Sequence, residues 1–177
     1  MKALSLWQPG ATLIAVGAKS IETRSWQTAY RGPIAIHAAA KYTAALRHLA
    51  VTDPYHQYLL GHFPLPFGAI VAVANLCFVC PTEGVAFAPD MPPHEEQFGD
   101  YSPGRFAWLL RDVKPLRVAM PCRGRQGLFN VTGICRVCGC WDLCGCEEGC
   151  AWLAPDLCTA CIAHATDKEL NAFDRKH

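Results

Sequence analysis

A dense run of cysteines near the C-terminal end constrains this sequence most. Eight of its eleven cysteines lie between Cys135 and Cys161. At this density, cysteines form disulfides in small secreted domains and bind metal in intracellular proteins. The first seven residues are too short and too weakly basic for a signal peptide, and no apolar stretch approaches the ~20 residues that span a bilayer. We therefore predict a cytoplasmic protein with no membrane association, in which the cysteines bind metal.

The outermost cysteines have the spacing C-x2-C-x19-C-x2-C, in which two knuckles can converge on one tetrahedral ion. The spacing predicts a structural zinc ion, with rubredoxin-like iron and oxidised disulfides as the chemical alternatives. The four ligands are Cys135, Cys138, Cys158 and Cys161. The inner cysteines suffice for a second zinc, although a tight loop can use only some of them. These inner residues are Cys140, Cys144, Cys146 and Cys150.

A zinc ion bound by four cysteine thiolates forms a site with a net charge of −2. The ion has no open coordination position, so its role is structural. Acidic residues surround the cysteines, which makes the segment a poor phosphate binder. We therefore predict that residues 133–177 form a separate zinc module that packs on the rest of the chain or contacts a protein partner. Cys77, Cys80 and Cys122 lack this clustering and are interpreted as buried or incidental.

The formal net charge of +1 conceals an uneven distribution along the chain. Residues 1–52 contain six lysines and arginines against one acid, and residues 101–134 repeat that balance. Between them, residues 53–100 contain six acids and no lysine or arginine. Two basic segments that the fold brings together would form one positive surface suited to a polyanion. Ordinary solvated faces are the alternative explanation.

Residues 1–132 have the pattern of a mainly β fold. Short helices are predicted after Pro9 and across 42–60, the second interrupted near Asp53-Pro54 because a residue before proline avoids the α region. A long loop is predicted at 80–103. Six segments rich in β-forming residues are predicted as strands: 2–7, 19–26, 33–38, 68–79, 105–113 and 126–131. Few strands, little helix and Gly/Pro turns favour an α+β, mainly β fold, a small β-barrel with short flanking helices, over a layered α/β sheet.

Several spaced motifs in this region match a known family. They are WQP at 7–9, GAKSIETRSW at 17–26, YRGP at 30–33 and IHA at 36–38. They resemble the ASCH domain, whose signature combines a WQPWA turn, a GxKxIExRxW strand and a YRGP turn that leads into an IHA strand. The segments FGDYSPGR at 98–105 and GRQGLF at 124–129 resemble bacterial and phage members. The resemblance covers about residues 1–132, which we take as the first domain.

The resemblance implies a PUA-like barrel with a cleft that accepts RNA, another single strand or a nucleotide, often around one base. This chain has Gly10 where the family usually carries a second tryptophan. Cations in the motifs can pair with phosphates, and the aromatic rings can stack on bases. The candidate binding residues are Trp7, Gln8, Lys19, Glu22, Arg24, Trp26, Tyr30, Arg31, Lys41, Tyr101, Arg105, Arg123 and Arg125.

Several of these residues also have structural interpretations. In a regular strand Lys19 and Glu22 face opposite sides, so they meet only if the segment bends, which Gly17 permits. Glu22 can instead pair with Arg24 to hold the shape of the cleft, and Trp26 suits the core as well as a stacking platform. His37 ends an apolar strand, where a core histidine is more common than a catalytic one.

Three functions remain open at this point. The first is a module that binds a base or a short single strand. The second is a hydrolase of RNA or of an acylated cytidine nucleoside, with Lys19, Glu22 and His37 available for acid–base chemistry. One ASCH subgroup hydrolyses acylated cytidine with a lysine, a hydroxyl residue and a later glutamate. Lys19 matches that lysine, Glu22 replaces the hydroxyl residue, and the later glutamate is Glu95 or Glu96. The third is an interaction scaffold in which the zinc module is the working part.

Overall fold

The computed structural model describes residues 1–87 and 91–174. Its strands are β1 (Lys2–Leu6), β2 (Ile21–Arg24), β3 (Gly32–Ala38), β4 (Ala69–Pro81), β5 (Phe106–Pro121), β6 (Leu128–Asn130), β7 (Trp152–Ala154) and β8 (Leu157–Cys158). Its α-helices are α1 (Gly10–Ala15), α2 (Ala44–Ala50), α3 (Tyr55–Leu59) and α4 (Asp167–Asp174). Short 3₁₀ helices occur at Thr82–Gly84, Glu95–Phe98 and Thr159–His164, the last of which is kinked at Cys161. Within this described part, no helix has the length and apolar character needed to cross a bilayer.

Six strands form one sheet in the order β2-β5-β4-β3-β1-β6. The β1 and β3 strands pair in parallel, and every other neighbouring pair is antiparallel. The two long central strands, β4 and β5, shift register three times along their shared edge. Such bulges bend a strand and increase its twist, and the sheet curls into a half-barrel. The predicted mainly β fold is confirmed, and its six predicted strands all lie in this sheet.

The concave side of the curled sheet encloses the main core. Leu4, Ile36, Leu76 and Trp108 are fully buried there and pack with the apolar face of α1. Pro9 is the N-cap residue of α1, and Gly17, with φ +79°, follows the C-terminal end of the helix. This packing fixes the ends of β1 and β2 relative to each other, and the candidate cleft opens at those ends.

Two predicted elements differ from the observed ones in extent. The helix predicted across 42–60 is divided into α2 and α3, in agreement with the predicted break at Asp53-Pro54. The β5 strand continues to Pro121, well beyond the predicted end at 113. Its second half carries exposed polar residues that interrupt the apolar pattern, yet it pairs with the start of β4. In the predicted loop at 80–103, residues 88–90 lie outside the described part.

The cysteine-rich segment packs on the outer side of this β4–β5 region. The Trp141 indole Nε1 donates a hydrogen bond to the carbonyl oxygen of Val118 at 3.0 Å, and Trp141 is 8% exposed. A Cβ on Gly139, which has φ +73°, would lie 3.3 Å from Leu116 and 3.6 Å from Val73. The close approach and the left-handed backbone both favour glycine there. The segment is therefore anchored by apolar contacts to the long strand that extends from the barrel.

Candidate functional site

A cleft with a volume of about 890 Å³ opens at the ends of β1 and β2. Its walls come from six parts of the chain, including α2 and the turns before β5 and β6. Four cations and two carboxylates line it: Lys19, Arg24, Arg105 and Arg125 with Glu22 and Asp100. These cations come from both basic segments of the sequence. The fold therefore brings part of each segment to one concave surface with an excess of positive charge.

Lys19 lies at the base of the cleft and is 2% exposed. It lies just before β2. The backbone N–H groups of Ala18 and Lys19 both donate to the carbonyl oxygen of Leu13, and these hydrogen bonds turn the chain after Gly17. The Lys19 Nζ donates to the carbonyl oxygen of Phe98 at 2.7 Å and lies 3.6 Å from Glu22 Oε2. The chain therefore bends between Lys19 and Glu22, which is the condition for contact between these two side chains.

Glu22 lies between two cations. Its Oε1 is 3.6 Å from Arg24 Nη1, at the same distance as the Lys19 ammonium is from Oε2. The Arg24 guanidinium also lies 5.8 Å from the centre of the Trp26 ring. The Arg24 side chain is 27% exposed, so it reaches the cleft surface, whereas Lys19 does not. Arg24 is thus available to an anion that Lys19 cannot contact without rearrangement.

Glu95 connects the long acidic loop to the start of β2. It is 2% exposed, and its oxygens accept hydrogen bonds from the Ser20 N–H at 2.6 Å, the Ser20 hydroxyl at 2.9 Å and the Ile21 N–H at 3.1 Å. The buried Tyr101 hydroxyl nearby has no hydrogen-bond partner within the described residues. Burial, together with the Glu95 and Glu22 carboxylates, raises the pKa of Tyr101. Glu95 does not line the cleft, but it holds the start of β2, and β2 forms one wall of the cleft.

Arg105 is positioned by the turn that precedes β5. Its Nε donates to the Asp100 carbonyl oxygen at 3.1 Å and lies 3.3 Å from Asp100 Oδ2. Hydrogen bonds from the Ser102 hydroxyl and N–H, together with the Arg105 charge, lower the pKa of Asp100. The Asp100 N–H donates to Thr23 Oγ1 at 3.0 Å, which connects this turn to β2. Asp100 thus holds Arg105 at the rim of the cleft.

The two tryptophans of the cleft differ in accessibility. Trp7 is 57% exposed, and the Lys41 ammonium lies 5.5 Å from its ring centre. Trp26 is partly buried, with its ring edge-on to Trp108 at 4.6 Å between centroids. Trp7 offers an open face to a ligand, whereas much of Trp26 is engaged in packing.

Some predicted residues lie near the cleft but have other partners. Gln8 lines it yet is fully buried, and its amide donates to Thr12 Oγ1 and the Pro66 carbonyl oxygen while accepting from the Thr12 N–H. The Tyr30 hydroxyl donates to the Pro33 carbonyl oxygen, and burial raises the pKa of Tyr30. Of the remaining predicted residues, Arg31, Lys41, Tyr101 and Arg123 do not line the cleft.

His37 is 1% exposed and lies outside the lining of the cleft. Its Nε2 donates to the Cys122 carbonyl oxygen at 2.9 Å, so a neutral ring accepts from the Ser5 hydroxyl at Nδ1, 3.0 Å away. A Cβ on Gly124 would come within 2.5 Å of this ring. The structure gives His37 the environment of a satisfied core histidine.

Sequence reasoning missed the part of the cleft formed by the helices. Leu46 and Leu49 of α2 and Tyr55 of α3 line it. The spacing of the two leucines by three residues is the signal that could have identified this helix face. At Gly10, no atom lies within 4 Å of a built Cβ. The position at which the family carries its tryptophan is therefore open space in this cleft.

Seven of the eight cysteines between Cys135 and Cys161 form a compact cluster around the β7–β8 hairpin. No disulfide joins any of the eleven cysteines in the structure, and Cys77, Cys80 and Cys122 lie outside this cluster. Two sets of four sulfur atoms each lie within 4.8 Å of one another: Cys135, Cys138, Cys140 and Cys158 form the first, and Cys140, Cys146, Cys150 and Cys158 form the second. Cys161 packs against the same apolar cluster, and Cys144 instead packs beside Trp141. The inner and outer cysteines of the sequence are thus interleaved in space.

Backbone hydrogen bonds shape the turns that carry these thiols. The Cys135 N–H donates to the Cys140 carbonyl oxygen, and the Gly139 N–H donates back to Cys135. Burial opposes ionisation of Cys138, but the Cys140 N–H and neighbouring thiols outweigh it and lower the pKa of Cys138 to about 6. Burial, with Cys138 and Cys135 close by, raises the pKa of Cys161 to about 12.

Comparison with known proteins gives the following matches. The family profile described as the ASCH domain matches residues 4–137 of this chain. Similar solved structures include an ASCH protein from Zymomonas mobilis, at 21% identity and a TM-score of 0.43, covering 73% of this chain and 86% of that one. Two single-residue variants of that protein align at 19% and 20% identity, with TM-scores of 0.44 and 0.43, over 73% of this chain and 88% and 87% of theirs. No curated protein sequence matches this chain.

Proposed function

We propose that this chain, which belongs to the ASCH domain family, binds single-stranded nucleic acid, with RNA the expected polymer and one base or nucleotide entering the cleft. One observation supports this most: cations from two distant basic segments line the same concave cavity as an exposed indole. A volume of about 890 Å³ lies within the range of roughly 300–1,000 Å³ typical of small-ligand pockets. A concave site of this size suits an unstacked base better than a duplex.

The roles of the residues follow from their exposure. Arg24, Arg105 and Arg125 are accessible cations that can pair with phosphates. Trp7 offers a stacking face, which supports any base because every base has a π-face. Glu22 at the base of the cleft presents acceptor oxygens to the edge of a base, and the buried Lys19 ammonium holds this carboxylate in place. The Lys19–Glu22 pair would then contribute selectivity, and the arginines most of the affinity.

Arg125 and Arg123 provide a matched test of phosphate contact. Both are exposed and lie two residues apart, but Arg125 lines the cleft and Arg123 does not. Because each phosphate contact on a single strand contributes about −0.7 to the slope of log affinity against log salt, Arg125→Gln should reduce that slope by about this amount. Arg123→Gln should leave it unchanged. Fluorescence anisotropy with labelled single-stranded RNA and DNA at several salt concentrations measures both slopes. Equal slopes for wild type and Arg125→Gln would contradict the proposed contact.

Base stacking is tested at Trp7. We expect Trp7→Ala to weaken binding by about 1–3 kcal/mol, because a lost aromatic stack costs this much, with little change in the salt slope. Phe78→Ala is the control, since Phe78 is 56% exposed, close to the 57% of Trp7, and lies outside the cleft lining. Anisotropy titrations at one salt concentration compare the two variants. A similar loss in both would argue against stacking on Trp7.

The hydrolase alternative depends on the pair Lys19 and Glu22. The Lys19 Nζ is buried and is held by the Phe98 carbonyl oxygen and the Glu22 carboxylate, so it is not free to attack a substrate in the cleft. This contact pattern favours binding over hydrolysis. Turnover of acylated cytidine nucleosides or of RNA by the wild-type protein, lost in Lys19→Met, would place the hydrolase function first.

For the cysteine cluster we propose a structural zinc role. Around a zinc ion with bonds of about 2.3 Å, tetrahedral sulfurs are about 3.8 Å apart. The sulfur atoms of Cys138 and Cys158 are 3.7 Å apart, and those of Cys140 and Cys150 are also 3.7 Å apart. A ligand set of thiolates alone suits zinc and leaves no open position for catalysis. The exposed Leu143 beside the cluster supports contact with a protein partner, the scaffold alternative.

A further inference from the structure

The number of thiols in the cysteine cluster does not fit two separate zinc sites. Two independent sites closed by cysteines need eight ligands. The two sets of four sulfur atoms share Cys140 and Cys158, so together they contain six different cysteines. Cys161 packs on the same cluster and brings the thiols to seven.

The eighth cysteine of this segment is directed elsewhere. Cys144 belongs to neither set and packs against the apolar cluster that contains Ile70 and Trp141. Its N–H donates to the Trp141 carbonyl oxygen at 2.7 Å, which fixes this tight turn against the sheet. Seven thiols are therefore available for the eight ligand positions of two tetrahedral ions, and at least one thiolate has to be shared.

We propose that the cluster holds two zinc ions bridged by the thiolate of Cys158, an inference that rests on the proposed zinc role. The first ion takes Cys135, Cys138 and Cys158, and the second takes Cys158 with three inner cysteines. Those three are Cys140, Cys146 and Cys150. Cys161 completes the first ion, unless Cys140 does so as a second bridge. The Cys158 bridge is common to both arrangements.

The position of Cys158 suits a bridging ligand. It is 1% exposed, lies at the end of β8 and belongs to both sets of sulfur atoms. Two separate four-thiolate sites would carry a total charge of −4, whereas two zinc ions on seven thiolates carry −3, so sharing reduces repulsion in a buried cluster. Each thiol releases its proton to solvent when it binds zinc.

Cadmium substitution tests the bridge directly. The full-length protein is reconstituted with ¹¹³Cd²⁺, and proton–cadmium correlation spectra are recorded. We expect two ¹¹³Cd resonances, with the β-protons of Cys158 correlated to both. Two resonances with no cysteine in common, or a single bound ion, would overturn the bridge while leaving a structural metal role intact. A chain that binds no metal would contradict the zinc role itself.

Serine variants give an independent measurement by zinc release. Cys158→Ser removes a ligand from both ions, so a colorimetric chelator should extract two equivalents of zinc rapidly. Cys150→Ser should release one equivalent rapidly, and Cys144→Ser should retain both as in the wild type. Because Cys158→Ser can impair folding, the cadmium spectra of the wild-type protein remain the deciding measurement. Rapid loss of one equivalent from Cys158→Ser would contradict a bridging role.

Discussion

Replacing Glu95 with glutamine is expected to lower the free energy of unfolding by about 3 kcal/mol. The buried carboxylate of Glu95 accepts two backbone N–H groups and one hydroxyl, all from Ser20 and Ile21. A glutamine amide has one acceptor oxygen, and its NH₂ group would face an N–H donor. At least one buried N–H would lose its partner, which costs the full desolvation penalty. Urea unfolding followed by circular dichroism measures the change.

Glu96 provides the matched control for this prediction. It is adjacent, exposed and makes no hydrogen bond or ion pair within the described residues. Glu96→Gln should change the free energy of unfolding by less than about 0.5 kcal/mol. Similar destabilisation by both substitutions would show that general loss of negative charge, not the Glu95 contacts, is responsible.

The loss at Glu95 should also extend to the cleft. The turn that begins at Glu95 ends at Phe98, whose carbonyl oxygen accepts from Lys19. Release of Glu95 from β2 frees this turn and removes the contact that positions the Lys19 ammonium. We therefore expect Glu95→Gln to weaken the proposed nucleic-acid binding even at temperatures at which the variant remains folded.

The sequence could not distinguish Glu95 from Glu96, and the structure gives the reason. In the 3₁₀ turn Glu95–Phe98, the first and fourth residues are buried on one side. This places Glu95 with Phe98 towards β2 and leaves Glu96 in solvent. To choose between the two glutamates, sequence reasoning would have needed the position of this turn relative to β2. That position depends on tertiary packing across a long loop and not on the local sequence pattern.

Sequence reasoning predicted the fold more completely than it predicted the candidate site. Apolar runs with β-branched residues predicted all six strands of the large sheet because burial on the concave face imposes that pattern. The same reasoning ended β5 too early, since the exposed residues Lys114 and Arg117 interrupt the apolar pattern beyond 113. Strand pairing with β4 stabilises this half of β5 without an apolar repeat.

The cysteine spacing predicted a metal-binding cluster but could not determine how its ligands are grouped. The pattern separates outer from inner pairs along the chain, whereas the β7–β8 hairpin brings Cys158 beside Cys140 and Cys150. Turns at Gly139 and Gly149, both with positive φ, fold the inner loop back onto the outer knuckle. Which loops converge is a tertiary property that spacing alone does not encode.

Removal of the proposed zinc by a strong chelator is expected to unfold residues 135–161 while the six-stranded sheet remains folded. Structural zinc contributes about 10–16 kcal/mol in small zinc-binding peptides, and here the alternative support is weak. The β7 and β8 strands contain five residues in total. Each strand contributes one buried leucine, Leu153 from β7 and Leu157 from β8. A hairpin this short is not stable on its own in water. Hydrogen exchange measured by mass spectrometry should show a loss of amide protection of at least about 100-fold in this segment.

The β3 and β4 strands serve as the internal reference, because their amides bond within the sheet and not to the cysteine turns. Zinc added back should restore protection of the Cys135 N–H, whose acceptor is the Cys140 carbonyl oxygen. Unchanged protection in metal-free protein would show that apolar packing of Trp141 and Leu157 suffices to hold the segment. Loss of protection in the sheet as well would contradict a separate module at 133–177, since it would show that barrel and cluster fold as one cooperative unit through the Trp141–Val118 contact.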